Sequence, residues 1–346
     1  MLRGHRRRRV LLRIAALAFL AGVGALIARQ AAAIDWPAVA DAVARYRPGR
    51  LAAAAALVAL SYLLYCGYEV AARRYAGHAV PLRLTAAAGF VGYAFNLSLG
   101  ALIGGGGVRY RLYSRAGLRL ETVLRIAAFA VTCNWLGWLV LAGGVLLWRP
   151  LLLPERLGAG VGALPGGAQR AIALALLCVA AGYLLACARW HGHAWSLRGR
   201  RLQLPTLPAA ALQLALSTAN WLVLAALIHV LLQQRVAYPE VLTVMLVAAV
   251  AAAMVHVPAG LGALEAVFLA MLSRRAPQAD LLAALAVYRA LYHVAPLLLA
   301  TLAYWPLERR LRALRHAPAP RRGAHEHGGL SRGLDRRRAT VAPRDC

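Results

Sequence analysis

Long apolar blocks recur along the chain and are separated by short polar segments that contain arginine. Each block has about 18 to 26 residues, which is enough for an α-helix to cross about 30 Å of hydrocarbon. Backbone polar groups in lipid must be bonded internally, so such blocks predict helices. We therefore predict an all-α fold, a polytopic membrane helix bundle with six to eight transmembrane helices. The blocks lie at 10–28, 51–70, 85–103, 122–147, 169–187, 207–232, 238–272 and 281–305.

Two of these blocks are interrupted by glycine. The first runs from Asn96 as NLSLGALIGGGGVRYR, and the second contains HVPAGLGALE, from His256 to Glu265. An interrupted segment has backbone groups that lipid cannot satisfy, so it must face protein or a water-filled cavity. We interpret both as re-entrant segments that return to the side from which they came. Because one enters from each side, their placement indicates an inverted repeat like those that line the substrate path of transporters.

The distribution of positive charge favours this arrangement. The chain is 61% hydrophobic, has a formal net charge of +28 and contains no lysine. With both broken blocks re-entrant, the basic N-terminus, the loops at 73–83, 109–119 and 189–201 and the basic tail all face one side, as expected for the cytoplasm. If both blocks crossed fully, the loops at 109–119 and 189–201 would face the other side.

Charge and hydropathy together predict location and partners. We expect a multi-pass protein of the bacterial inner (plasma) membrane with cytoplasmic N- and C-termini. An integral membrane domain (1–310) precedes a basic tail (311–346), which has too few apolar residues to fold alone and is predicted to be disordered. The basic termini suit anionic lipid headgroups, and no nucleic-acid partner is indicated.

Block 10–28 also resembles a signal peptide, but its length favours an uncleaved helix. A short interfacial helix is predicted to begin at Pro37.

Two ionisable residues in the last third of the chain are the main functional candidates. Glu265 follows the second glycine break, where the first turn of a helix favours a carboxylate. Arg289 shares one face of the last span with Tyr292, His293 and Pro296, at spacings of i, i+3, i+4 and i+7. Charges inside membrane segments are costly, so function is the default interpretation. We expect Arg289 to pair with Glu265 or Glu69, either as a structural ion pair or in contact with substrate.

The first broken block offers a second set of candidates. Asn96 precedes the glycines at 104–107, and Arg109 follows them. Glycines let backbone amides approach a ligand closely, and an arginine can bind phosphate through two N–H groups. A phospholipid headgroup fits better than a nucleotide, since no Lys-Ser/Thr follows the glycines. Glu69 lies on one stripe with Tyr62 and Tyr65, but the neighbouring Arg73 and Arg74 make a structural role about as probable.

Other polar residues have simpler interpretations. A stripe in block 207–232 suits helix-to-helix contact. His191 and His193 lack a third metal ligand nearby, and no cofactor motif or enzymatic constellation is present. We therefore expect neither a metal nor a cofactor. The residues of the stripe are Gln213, Ser217, Asn220 and Trp221.

Three stretches, in order, resemble the membrane domain of the lysylphosphatidylglycerol synthase/flippase family. They read NLSLGALIGGGGVRYRLYSRAGL, VPAGLGALEAVF and VYRALYHVAPLLLA. The family's first turn usually has a proline before its glycines, where this chain has Ser98-Leu99-Gly100. The resemblance covers about residues 10–310 and implies functional roles for the positions that match the family's motifs. These are Gly105, Gly106, Arg109, Pro258, Gly260, Gly262, Glu265, Tyr288 and Arg289.

The resemblance also implies a function. Similar membrane domains are thought to move a lipid between leaflets, which would make membrane phospholipids or glycolipids the partners. The aminoacyl-transferase domain of the full-length synthases is absent, so we expect no enzymatic activity. The alternative is a non-transporting accessory protein for a lipid-modifying enzyme or a glycosyltransferase. An integral-membrane enzyme is a third hypothesis, with no nucleophile or paired carboxylates to support it.

Overall fold

The computed structural model describes residues 36–148, 165–192, 194–197, 200–255, 260 and 262–316. The predicted first span at 10–28, residue Pro258 and residues 317–346 lie outside these ranges. The described part of the chain is helical apart from one short β-hairpin.

Helices follow the apolar blocks closely. Five of them are long and apolar enough to cross a membrane among the described residues: α2, α5, α6, α7 and the continuous helix from Gln278. The polytopic helix bundle predicted from hydropathy is therefore confirmed. The elements are α1 (Trp36–Arg45), α2 (Pro48–Ala76), α3 (Leu82–Leu99), π1 (Ala101–Val108), α4 (Arg109–Arg115), α5 (Leu120–Trp148), α6 (Gly166–Trp190), β1 (Ala194–Leu197), β2 (Arg200–Gln203), α7 (Leu207–Leu231), α8 (Tyr238–Val255), α9 (Ala263–Leu272), α10 (Gln278–Arg289), π2 (Ala290–Val294) and α11 (Ala295–His316).

The first broken block folds back on itself as a helical hairpin, which we call the first hairpin (residues 82–115). Helix α3 ends at Gly100, whose φ of +85° is available to glycine at little cost. The chain then returns against α3 through π1 and α4. Gly104 lies so close to α3 that a Cβ there would be 2.0 Å from the Phe95 carbonyl oxygen. The glycine run therefore lets the two limbs touch.

The second broken block forms a comparable pair, the second hairpin (residues 238–272), in which α8 and α9 pack together. Gly260 and Gly262 have φ values of +59° and +82°. A side chain is strained in this left-handed region. Helix α8 ends at Val255 and α9 begins at Ala263, so the described glycines of the predicted break, Gly260 and Gly262, lie between two helices.

Contacts between loops assign them to the two ends of the bundle. Tyr75 Oη donates to the Gln203 carbonyl, Arg125 Nη2 donates to the Tyr75 carbonyl at 3.2 Å, and Arg115 reaches Glu308 at 3.0 Å. The loops around 73–83, 109–119 and 189–203 therefore share one end with the last helix, which we call the arginine-rich end. The re-entrant arrangement predicts this grouping, whereas full crossing by both blocks would separate these loops.

The opposite end is built from the start of α2, the turn after α7 and the start of α10. Arg50 Nη1 donates to Gln233 Oε1 at 3.0 Å, and Arg235 pairs with Asp280. Helix α1, which begins at Trp36 as the Pro37 signal predicts, packs on α10 at this end.

The polar stripe on α7 joins that helix to α5, as predicted. Gln213 Nε2 donates to the Phe129 carbonyl at 3.1 Å, and Trp221 Nε1 donates to the Asn134 carbonyl at 3.0 Å. Ser217 Oγ donates to the same Asn134 carbonyl at 2.9 Å. Each bond gives a polar side chain a partner that lipid could not supply, so the stripe ties the two spans together.

The last span contains a wide turn just before Pro296. Pro296 has no N–H to offer the carbonyl of Tyr292, four residues earlier, and Tyr62 Oη donates to that carbonyl at 3.1 Å. The helix widens into π2 just before this proline and then resumes as α11.

Helix α11 continues through His316, because Leu307 and Leu311 are buried on its inner face. Helix α11 thus runs past residue 310, and the boundary between a membrane domain and a tail stays a prediction.

Candidate functional site

Arg109 forms a sealed ion pair with Glu69. Glu69 comes from α2 and Arg109 from the return limb of the first hairpin. Arg109 Nε lies 3.2 Å from Glu69 Oε1 and Nη2 lies 2.9 Å from Oε2, so the contact is bidentate. The Tyr113 hydroxyl donates to Glu69 Oε1 at 2.9 Å. The side chains of Arg109 and Glu69 are only 6% and 0% exposed.

The surroundings of this first pair leave it little access. The Arg109 Cζ lies 4.9 Å from the centre of the Tyr93 ring, a cation–π contact. Gly89 on α3 allows close approach, because a Cβ there would be 2.8 Å from Glu69 Cβ. A buried carboxylate held by a guanidinium and a hydroxyl attaches the first hairpin firmly to α2.

The glycine run of the first hairpin has internal partners. The amides of Gly104 and Gly105 both reach the Gly100 carbonyl, at 2.9 and 3.3 Å. A Cβ on Gly105 would lie 2.5 Å from Asn96 Oδ1, so Asn96 packs directly against the returning limb. Gly106 is exposed on the surface of the hairpin. The tight contacts therefore account for Gly104 and Gly105 as packing positions between the two limbs, whereas Gly106 and Gly107 are exposed.

Glu265 and Arg289 form a second bidentate pair. Arg289 Nε lies 2.5 Å from Glu265 Oε1, and Nη2 lies 2.9 Å from Oε2. Of the two partners predicted for Arg289, the structure selects Glu265. The carboxylate also accepts the Gly262 amide at 2.9 Å, so it caps its own helix at the place where the dipole favours a negative charge. Arg289 Nη2 lies 3.4 Å from the Gly260 carbonyl oxygen.

The second pair is more open than the first. The Arg289 side chain is 7% exposed, whereas that of Glu265 is 23% exposed. Helix α10 has 12 residues and ends at Arg289, so the pair lies about 17 Å from the start of that helix. This is about half of the roughly 30 Å hydrocarbon thickness. An accessible carboxylate at such depth is costly unless water or a polar group meets it.

A column of tyrosine rings runs between the two pairs. It begins at Tyr288, next to Arg289, and ends at Tyr93, under Arg109. The ring centres are 5.2 Å apart for Tyr288 and Tyr292, 5.6 Å for Tyr292 and Tyr62, and 6.2 Å for Tyr62 and Tyr65. Tyr65 stacks on Tyr93 at 4.1 Å. The two ion pairs therefore belong to one continuous packed core.

Hydrogen bonds fix the middle of this column. Ser61 Oγ lies 2.9 Å from the Tyr292 hydroxyl and donates to Asn220 Oδ1 at 2.7 Å. Periodicity places Tyr62, Tyr65 and Asn220 on helix stripes, but it does not predict that these stripes meet. Tyr113 was missed altogether, although its i+4 spacing from Arg109 was a usable signal.

Metal ligation has no support in the described ranges, where no group of three or more His, Cys, Asp or Glu residues could hold an ion. His191 is exposed after α6, and His193 lies outside the described residues. The described residues thus supply two arginine–glutamate pairs in which the guanidinium bonds both carboxylate oxygens, one sealed and one accessible.

The chain is similar in sequence to known membrane proteins. Residues 13–300 match the family described as the lysylphosphatidylglycerol synthase TM region. The chain is 39% identical over 316 residues to the inner membrane protein YbhN of Escherichia coli strain K12, covering 91% of this chain and 98% of that protein. It is 32% identical over 253 residues to the uncharacterized protein slr0712 of Synechocystis, covering 72% of this chain and 76% of that protein.

Proposed function

Because this chain belongs to the lysylphosphatidylglycerol synthase TM-region family, we propose that it moves a lipid headgroup between the leaflets of a bacterial inner membrane. The inner membrane is the location named for the E. coli relative. The observation that carries the proposal is the accessible Glu265–Arg289 pair in the second hairpin. We assign this pair as the headgroup site.

The chemistry of the pair suits a phospholipid. A guanidinium that binds a carboxylate through two N–H groups can bind a phosphate with the same fork. An arriving phosphate would exchange with Glu265 on Arg289, so the guanidinium keeps a negative partner throughout. The released Glu265 carboxylate would retain the Gly262 amide and could face a cationic part of the headgroup. Exchange of partners avoids the cost of an unpaired charge within the membrane.

Burial favours the second hairpin over the first as the site. A phosphate could reach Arg109 only by displacing a carboxylate that is 0% exposed and is also bonded to Tyr113. Glu265, at 23% exposed, can be met without repacking the core. In this proposal the first pair holds the first hairpin in place while the second pair binds the headgroup.

The test follows a labelled anionic phospholipid between the leaflets of vesicles that contain the purified protein. We expect transfer above the rate of empty vesicles, and a loss of at least about tenfold in Glu265→Gln and Arg289→Gln, because exchange of partners requires both charges. Glu240→Gln is the matched control, since it removes a carboxylate from the exposed pair with Arg275 at the same end of the bundle. The control should retain wild-type transfer.

Two outcomes would overturn the proposal. One is a rate no higher than that of empty vesicles for a folded wild-type protein, which would support the accessory function instead. The other is equal transfer by wild type and by a folded Glu265→Gln variant. Thermal unfolding of each variant in detergent establishes that it is folded before its rate is compared.

A further inference from the structure

A second polar site lies at the opposite end of the bundle, away from both ion pairs. It is a small, open cleft between three distant parts of the chain. The end of α1 contributes Arg45 and Tyr46, the turn after α7 contributes Gln233 and Arg235, and the first turns of α10 contribute Asp280. Its walls therefore come from elements that the fold must bring together, which is typical of binding clefts.

Positive charge dominates this cleft. Arg45 lines it without a carboxylate partner anywhere in the described part of the chain, and Arg50 at its edge donates to the amide oxygen of Gln233. Only Arg235 has an acidic partner there, Asp280. Three guanidiniums thus face one carboxylate, which leaves an excess of positive charge.

The Tyr46 hydroxyl lies close to all of these charged residues. The ring of Tyr46 is buried and its hydroxyl donates to the Leu231 carbonyl. Burial raises the pKa of the Tyr46 hydroxyl and the charge of Asp280 raises it further, while Arg45, Arg50 and Arg235 lower it. The same four charged residues therefore act on one point at the base of the cleft.

The turn that presents Gln233 is strained. Gln233 and Gln234 are consecutive residues with φ values of 53° and 62°, a region where side chains other than those of glycine and asparagine are uncommon. Such conformations are unfavourable for residues with a side chain and cluster at functional sites. The amide of Gln234 is tied to the His229 carbonyl at 3.1 Å, and the Gln233 side chain is held by Arg50. The bundle thus maintains an unfavourable backbone that directs an amide side chain into the cleft.

From this arrangement we propose that the cleft binds a phosphate-type oxyanion. Guanidiniums and a side-chain amide donate hydrogen bonds that phosphate oxygens accept. Arg235 can exchange Asp280 for a phosphate at little cost in free energy. Its pair with Asp280 has side chains that are 52% and 36% exposed, and exposed pairs contribute little to stability. The phosphate belongs either to a lipid headgroup at the membrane surface or to a free anion, and both present the same oxygens.

This site is independent of the proposed lipid transfer. Asp280 is close to the start of the 12-residue helix that ends at Arg289, so the cleft lies about 14 Å along that helix from the second pair. Binding at the cleft could be present without transfer, and transfer could be present without binding at the cleft.

The experiment measures binding through thermal unfolding of the full chain. In the first arm, inorganic phosphate is titrated against detergent-purified protein at constant ionic strength, with chloride as the comparison. In the second arm, nanodiscs of phosphatidylglycerol are compared with nanodiscs of phosphatidylcholine. A ligand that binds only the folded state raises the unfolding midpoint as its concentration passes the dissociation constant. The arm that responds identifies the source of the phosphate.

Variants locate the site. Arg45→Gln and Arg235→Gln should each weaken binding about tenfold, and Arg45→Lys should weaken it less because it keeps the charge. Asp280→Asn should tighten binding, since it removes the competing carboxylate, an effect that a merely structural role would not produce. Arg47→Gln is the matched control: Arg47 is exposed at the same end and does not line the cleft.

The proposal fails if neither phosphate nor phosphatidylglycerol shifts the midpoint of wild type. It also fails if Arg45→Gln, Arg235→Gln and Arg47→Gln all bind as wild type does. Lipid transfer measured on the same variants separates this result from the proposed function, because the cleft variants leave Glu265 and Arg289 intact.

Discussion

Arg109 and Arg289 each bind a glutamate through two N–H groups, but the two glutamates have different access to the surroundings. Glu69 is 0% exposed and is shared with Tyr113, whereas Glu265 is 23% exposed and is shared with the amide of Gly262. One pair joins a hairpin to a span across a packed core. The other joins a hairpin tip to a span at a place that can be reached from outside the protein.

The same kind of interaction therefore has two roles: the sealed pair stabilises the fold, and the accessible pair is the one that we propose binds a headgroup. A sealed pair is strongly coupled to folding, because loss of either partner leaves a charge that nothing can solvate. Loss of one partner from an accessible pair lowers the folding stability less, since water or a headgroup can replace the missing partner. The inverted placement of the hairpins therefore does not imply equal roles for their charges.

The largest expected effect is on stability, at the first pair. Glu69→Gln should lower the free energy of unfolding by about 3–5 kcal/mol, because it leaves the Arg109 charge buried without its counterion. Glu265→Gln should cost clearly less. Thermal or denaturant unfolding in detergent measures both.

The double variant Glu69→Gln/Arg109→Gln serves as the control for this prediction. It should recover part of the loss, because no unpaired charge remains. Equal destabilisation by Glu69→Gln and Glu265→Gln would contradict the contrast between the pairs.

The glycines of the two hairpins should respond to alanine for different reasons. Gly104→Ala places a Cβ 2.0 Å from the Phe95 carbonyl oxygen, so the limbs must move apart, at a cost of about 1–3 kcal/mol or more. Gly262→Ala meets nothing within 4 Å, but its φ of +82° costs about 1–2 kcal/mol. Unfolding free energies of both variants test this.

Gly144→Ala is the matched control for the glycine series. Gly144 is helical in α5 and has open space around its position, so alanine should be neutral or slightly stabilising. If Gly104→Ala were as mild as Gly144→Ala, the close packing of the first hairpin would be refuted.

The smallest expected effect is a pH dependence near the first pair. His78 lies in the connection after α2, with its ring centre 5.4 Å from that of Tyr113. Burial and then the charge of Arg73 lower the pKa of His78 below 6.5 in the folded state. The unfolded chain therefore binds more protons below about pH 6.5, and stability falls as pH decreases toward the folded-state value.

His78→Gln should flatten this acid slope by less than about 1 kcal/mol, because solvent screens a half-buried ring. The check is the unfolding midpoint from pH 7.5 to pH 5 for wild type and His78→Gln. An unchanged slope would show that His78 is not responsible.

Hydropathy and glycine positions were enough to predict most of the fold. Within the described ranges the apolar blocks form helices, the glycine breaks lie between packed helices, and the arginine-containing loops share one end, as the re-entrant arrangement requires. The Arg289–Glu265 pair was predictable because a charge within a span needs a partner, and Glu265 was one of the two glutamates expected to pair with Arg289.

The first pair was not predictable in the same way. Glu69 seemed to belong with Arg73 and Arg74, which are its neighbours in sequence. Arg73 instead donates to the Val80 carbonyl at 2.7 Å, and Glu69 receives Arg109 from the returning limb. That contact depends on how the limbs pack, which periodicity does not encode. The cleft at Arg45 and Arg235 is hidden for the same reason, since three distant segments build it.

The wide turn π2 sets the rotation of one half of the last span relative to the other. A π turn accommodates one extra residue, and each residue of an α-helix rotates the chain by about 100°. The half before the turn can therefore direct Arg289 to the second hairpin, while the half after it packs Tyr304 on Phe95 and brings Glu308 to Arg111 and Arg115 of the first hairpin. Deleting a single codon within 290–294 would therefore leave both sets of partners in place in a regular α-helix, whereas inserting one more residue there would rotate the two halves by about 100° and separate one set of partners.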